Sequence, residues 1–106
     1  MDKKTVNGKL NQFRQILQSK GIHVSKLILY GSYAQGNARE DSDIDVVVVS
    51  NDFSGKGYWD RINILSDVIY ELFEPIEAVA MTEKEWESGE SMIVDFAKNG
   101  EIIYSA

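Results

Sequence analysis

The chain has 106 residues, enough for one compact domain and too few for a well-buried second. A hydrophobic fraction of 43% predicts a real core, and a net charge of −6 argues against the broad basic footprint that nucleic-acid backbones require. The absence of cysteine excludes disulfides and thiolate chemistry and fits a reducing cytoplasm, the expected location; a lone histidine, His23, argues against histidine-rich zinc sites and His-based triads. No apolar stretch approaches the roughly 20 residues of a membrane helix, so no membrane role is expected. No apolar run follows the lysines of MDKKTVNGKLNQ, so no signal peptide is expected either.

In chain order, Leu10, Phe13, Ile16 and Leu17 recur at helical spacing and predict an amphipathic helix from about Lys3 to Lys20, closed by Gly21. SKLILYG reads as a short buried strand ending at Gly31. Ser32 to Gln35 begin a short helix that Gly36 ends, and NARED returns the chain. DIDVVVVS, rich in β-branched residues, reads as a second strand stopped by Ser50, Asn51 and Asp52. Trp59, Ile62, Leu65, Ile69 and Leu72 give GYWDRINILSDVIYELF a helical period. PIEAVAMT is a third strand, with Pro75 tolerable at its start. Thr82 and Glu85 form a capping-box pattern opening a short helix. SMIVDFAKNGEIIY reads as a last helix closed near Gly100, followed by an exposed apolar tail. Layering these helices on a small mixed sheet buries the apolar faces most economically. The expected fold class is α/β (α+β), with about three core strands and a single domain over residues 1–106.

The chemistry concentrates in LYGSYAQGNAREDSDIDVVVVS, residues 29–50. Side chains alternate along a strand, so Asp43 and Asp45 share one face at the mouth of an apolar run. Burying either charge without a partner costs several kcal/mol, and a hard cation such as Mg²⁺ is the expected compensation. Gly31 and Ser32, where the first strand gives way to a helix N-terminus, suit a phosphate: free N–H groups, a partial positive charge and a close backbone. DSDID resembles the start of a calcium loop, but Val46 and Asp52 stand where that loop needs glycine and glutamate. Neither a dinucleotide fingerprint nor a P-loop is present. The plainer alternative, an exposed turn whose aspartates cap backbone groups, stays open for Asp-x-Asp alone.

Taken together, Gly31-Ser32, residues 33–42, then Asp43-Ile44-Asp45, the sequence resembles the minimal nucleotidyltransferases of the DNA polymerase β superfamily, whose signature is Gly-Ser, ten residues, Asp-x-Asp. One departure is Gln35, where many relatives carry arginine; Arg39 is the candidate to supply that contact. The resemblance implies a third carboxylate on a neighbouring strand, for which Glu77 in PIEAVAM is the choice and Glu74 the rival. It further implies that Asp43, Asp45 and Glu77 hold two Mg²⁺ ions, or Mn²⁺, while Gly31 and Ser32 position the phosphates of ATP or another NTP. AMP would then pass to an acceptor hydroxyl. The chain is short for a complete transferase, so the acceptor surface is expected from a partner or from a second copy in a homo-oligomer. The resemblance points to a small helical HEPN-type protein whose tyrosine is adenylylated by an antitoxin. The alternatives are a non-catalytic nucleotide-binding antitoxin that masks its partner, and a small-molecule nucleotidyltransferase. Lys56 and Arg61 are read as solvated rather than triphosphate-bound, and Tyr33 as packed. His23 is read as a surface residue. Trp59 and Trp86 are read as core or interface, and Ile102, Ile103 and Tyr104 as a candidate docking tail.

Overall fold

The Asp2 carboxylate accepts a hydrogen bond from the Thr5 N–H and so opens helix α1, Lys3–Ser19, whose apolar stripe Val6, Leu10, Phe13 and Leu17 is buried. The computed structural model describes residues 1–106. After α1 come strand β1 (Lys26–Tyr30), the one-turn helix α2 (Ser32–Gln35) and strand β2 (Ile44–Val49). A 3₁₀ turn (Asn51–Phe53) leads to helix α3 (Tyr58–Leu72), strand β3 (Ile76–Met81), helices α4 (Glu83–Ser88) and α5 (Met92–Ala97), and strand β4 (Glu101–Ser105).

The four strands form one mixed sheet in the order β3-β2-β1-β4. β1 pairs antiparallel with β2 and β4, whereas β2 and β3 are parallel, with α3 supplying the crossover that parallel strands need. β2 is the most enclosed strand. Ile44, Val46 and Val48 meet α1 and α3 on one face, while Val47 and Val49 meet Val94 and Ala97 of α5 on the other. Burial on both faces is why this strand reads as an unbroken apolar run rather than an alternation. The second face is covered only by the short α4 and α5, and its apolar cluster takes in Val47 and Val49 but not Asp45.

The structure corrects the C-terminal reading. The last helix stops at Ala97, and the expected tail is a fourth strand paired with β1. Ile103 and Tyr104 are half-buried against the main core, and the Arg14 guanidinium lies 4.2 Å from the centre of the Tyr104 ring. The tail is therefore sheet, not a loose docking surface. Gly100 makes the turn between α5 and β4: its N–H donates to the Ala97 carbonyl, and a Cβ there would stand 2.3 Å from the Leu29 carbonyl oxygen. Gly100→Ala should thus push β4 away from β1 and cost about 1–3 kcal/mol. Urea unfolding together with amide exchange of residues 101–105 tests this; unchanged protection would contradict it.

Trp59 is also not core. It is 71% exposed and meets Tyr58 edge-on at 5.1 Å, whereas Trp86 packs partly on the second apolar cluster. No helix is long and apolar enough to cross a membrane.

Candidate active site

β1 ends at Tyr30, and Gly31 then takes φ 74°, ψ −152°, a backbone region that essentially only glycine occupies. A second constraint acts there too. A Cβ on Gly31 would lie 2.4 Å from Asp45 Oδ2, so the missing side chain is what lets the Asp45 carboxylate approach the turn. The turn opens α2. Only the Gln35 N–H reaches back to Gly31, at 3.1 Å, so the N–H groups of Ser32, Tyr33 and Ala34 have no helical acceptor. Tyr33 is buried, as expected, and Ser32 is half-buried. The return loop is fastened by a reciprocal pair: the Arg39 N–H donates to Ser42 Oγ at 2.8 Å, and the Ser42 N–H to the Arg39 carbonyl at 3.1 Å. Gln35 and Arg39 are both exposed, and Arg39 takes part in no ion pair.

Strand register brings distant residues into line. Tyr30 is the partner of Asp45 across β1 and β2, and Asp45 the partner of Glu77 across β2 and β3. Directly opposed residues share a face, so Tyr30, Asp45 and Glu77 form a row across three strands, with Asp43 just ahead of β2. Asp43 and Glu77 are exposed and Asp45 half-buried. None of the three carboxylates has a cationic partner among the ion pairs. Burial, then the charge of Asp43, push the Asp45 carboxyl above its usual range, partly offset by its contact with Glu77. For Glu77 the charge of Asp43 acts first and burial second, again upward. The Tyr30 hydroxyl is raised by burial and then by Asp45 and Glu77, so it stays neutral.

Hard, acceptor-only oxygens with uncompensated charge suit a divalent cation such as Mg²⁺ or Mn²⁺. The donor chemistry fits, although the side chains do not close on one point by themselves. Glu74, the rival third acid, lies outside the row and pairs with Lys9. Arg61 is away from the row: its Nε donates to the Lys56 carbonyl at 3.0 Å and its Nη1 to Glu85 at 2.7 Å. Glu85 also closes the capping box with Thr82, and Arg61 holds its carboxyl below the usual range. Reading the sequence missed two features here. One is Tyr30, visible as the residue before Gly31 but not assignable without the β1–β2 register. The other is the Arg61–Glu85 pair.

The model of one family, described as a nucleotidyltransferase domain, matches residues 10–104. The chain belongs to the nucleotidyltransferase domain family. Two relatives of this nucleotidyltransferase domain from Methanocaldococcus jannaschii, both named putative protein adenylyltransferases, are 39% identical over 72 residues and 42% identical over 43 residues. The matches cover 67% and 40% of this chain but 48% and 43% of those proteins, so the chain spans about half the length of the curated relatives it matches. Among solved structures, a putative nucleotidyltransferase from Sulfolobus solfataricus aligns with a TM-score of 0.73 at 17% identity, covering 95% of this chain and 81% of that one. A toxin–antitoxin structure with AMP-PNP aligns at 0.63 and 19% identity, covering 94% and 73%. A tri-AMPylated Shewanella oneidensis HEPN toxin in complex with an MNT antitoxin gives 0.57 at 14% identity, covering 97% and 72%. At these identities the likeness is one of fold: a small mixed sheet packed by helices.

Proposed function

We propose that residues 1–106 form one nucleotidyltransferase domain that moves AMP from ATP to a hydroxyl, a tyrosine of a helical HEPN-type partner, in the role of an antitoxin. The observation that carries this reading is the row of Asp45 and Glu77 beside Asp43, ending at a turn that glycine alone can make. Family membership supports it, as do the names of the relatives and the toxin–antitoxin neighbours.

Gly31, the Ser32 hydroxyl and the unbonded N–H groups of the α2 first turn bind the β and γ phosphates. Asp43 and Asp45 would hold a divalent cation on the phosphate side, and Asp45 and Glu77 would hold one on the acceptor side. Bound there, such ions would neutralise developing phosphoryl charge and favour loss of the acceptor hydroxyl's proton. The hydroxyl oxygen forms a bond to the α-phosphorus, and the bond from that phosphorus to the α–β bridging oxygen breaks. Pyrophosphate leaves and the hydroxyl proton goes to solvent water. Glu77→Gln should lower transfer far more than ATP binding, whereas Glu74→Gln, outside the row, should leave both near wild type. The opposite ranking in a transfer assay would put the third acid on the wrong residue.

Orientation of two reactants supplies roughly 7–11 kcal/mol of barrier reduction. The purified chain is therefore expected to bind Mg·ATP but to transfer rapidly only with its partner, read as an AMP increment in the partner's intact mass. Rapid modification of a free alcohol such as an aminoglycoside by the chain alone would instead make it a small-molecule transferase.

A further inference from the structure

β3 is an edge strand, and its outer side is not blunted by a covering strand. The Ile44 N–H donates to the Pro75 carbonyl, and the Ser50 N–H to the Met81 carbonyl. Parallel pairing alternates, so Glu77 and Val79 also turn their main-chain groups toward β2, while Ala78 and Ala80 turn theirs outward. These outward groups make no other main-chain hydrogen bond. They border a cavity of about 470 Å³ between α3 and α4, whose lining includes Tyr58, Arg61, Ala78, Ala80 and Glu85. Small side chains at 78 and 80 leave the main chain approachable. Lys56 also lines this cavity; its amine donates to the Asp52 carbonyl and no carboxylate pairs with it.

Position along the sheet gives this edge its meaning. The phosphate-binding turn at Gly31 follows β1, on one side of Asp45; Glu77 and then the open edge lie on the other. An added strand at the usual spacing of about 4.8 Å would extend the row by one residue, next to Glu77. We propose that the acceptor hydroxyl is carried on an extended, non-helical segment of the partner that docks as a fifth strand on the outer edge of β3. The residue in line with Glu77 presents the hydroxyl. This rests on the transfer reading above, and the bond changes are those already given. The exposed aromatic Tyr58 stands at the start of α3, where it walls the groove.

The probe is a synthetic peptide, Glu-Thr-Val-Thr-Tyr-Thr-Val-Thr-Glu, whose central tyrosine allows either strand direction; a control replaces both valines by proline. Titrated into the isotope-labelled chain, the valine peptide should move the Ala78 and Ala80 amide protons downfield and leave Val79, already bonded to β2, nearly unmoved. With Mg·ATP it should be adenylylated, and Ala80→Pro, which removes an outward donor, should raise the peptide KM at least tenfold while the KM for ATP stays within twofold. Unmoved Ala78 and Ala80 amides, equal labelling of the proline control, or an unchanged peptide KM in A80P would each overturn the docking edge. Amide shifts with no pyrophosphate release from Mg·ATP would uphold the edge and overturn the transferase reading instead.

Discussion

Replacing Asp43 and Asp45 together by asparagine should lower nucleotidyl transfer by about 10³-fold or more, since metal stabilisation of phosphoryl charge is worth several kcal/mol and each ~1.4 kcal/mol is a factor of ten. The thermal shift given by Mg·ATP should vanish with it, because that shift measures binding to the native state alone. The same change should make the metal-free protein more stable at neutral pH. The sign follows from the raised proton affinity of Asp45, whose ordinary value is 3.8 and whose causes are burial and then the charge of Asp43. Above the raised folded-state value the native protein bears the full cost of the ionised group. As pH falls through that value toward 3.8, the folded state takes up its proton first and the cost disappears. The melting-temperature advantage of the asparagine variant should therefore be full at pH 7 and fade toward pH 4. A double mutant that kept its Mg·ATP shift, or that was less stable at pH 7, would remove the metal assignment.

Gly31→Ala should be nearly as damaging by a different route. The conformation at Gly31 costs a non-glycine residue about 1–3 kcal/mol, and the new methyl would collide with Asp45 Oδ2 at 2.4 Å. The collision yields most easily if the Asp45 carboxylate swings away, which withdraws it from the row. The expected outcome is a folded protein with a lowered melting temperature and no measurable Mg·ATP shift. Gly36→Ala is the informative control: its φ is also positive, at 80°, but nothing lies within 4 Å of the added Cβ. It should lose some stability and keep nucleotide binding. Equal binding losses in the two variants would mean that backbone strain, rather than contact with Asp45, explains Gly31.

The sequence made most of this fold readable because its signals are local. Leu10, Phe13 and Leu17 repeat with a helical period, four consecutive valines mark a strand enclosed on both sides, and Thr82 with Glu85 forms the capping box that the spacing predicts. The C-terminal strand escaped for the opposite reason. EIIYS is too short to set a period, and what makes it a strand is the unpaired side of β1, which lies far away in sequence. Gly100 offered a clue but reads equally as a helix stop. At the site, the spacing of Gly31, Ser32, Asp43 and Asp45 is visible in one stretch, and the apolar neighbours of Glu77 set it apart from Glu74. Register then aligned Glu77 with Asp45 and left Glu74 paired with Lys9. Tyr30 and the Arg61–Glu85 pair depend wholly on which elements become neighbours, and no local pattern encodes that.

The parallel pairing of β2 with β3 also sets when the site comes into being. Tyr30 and Asp45 meet through an antiparallel pair joined by α2 and its return loop, a contact of low sequence separation. Glu77 joins them only after the whole of α3 has formed and crossed over the sheet, because parallel strands cannot pair any sooner. Bringing a third negative charge beside two others also opposes that last step when no cation is present. The final carboxylate is thus added late and against repulsion, so divalent ions should speed the closing phase of refolding as well as favour its end state.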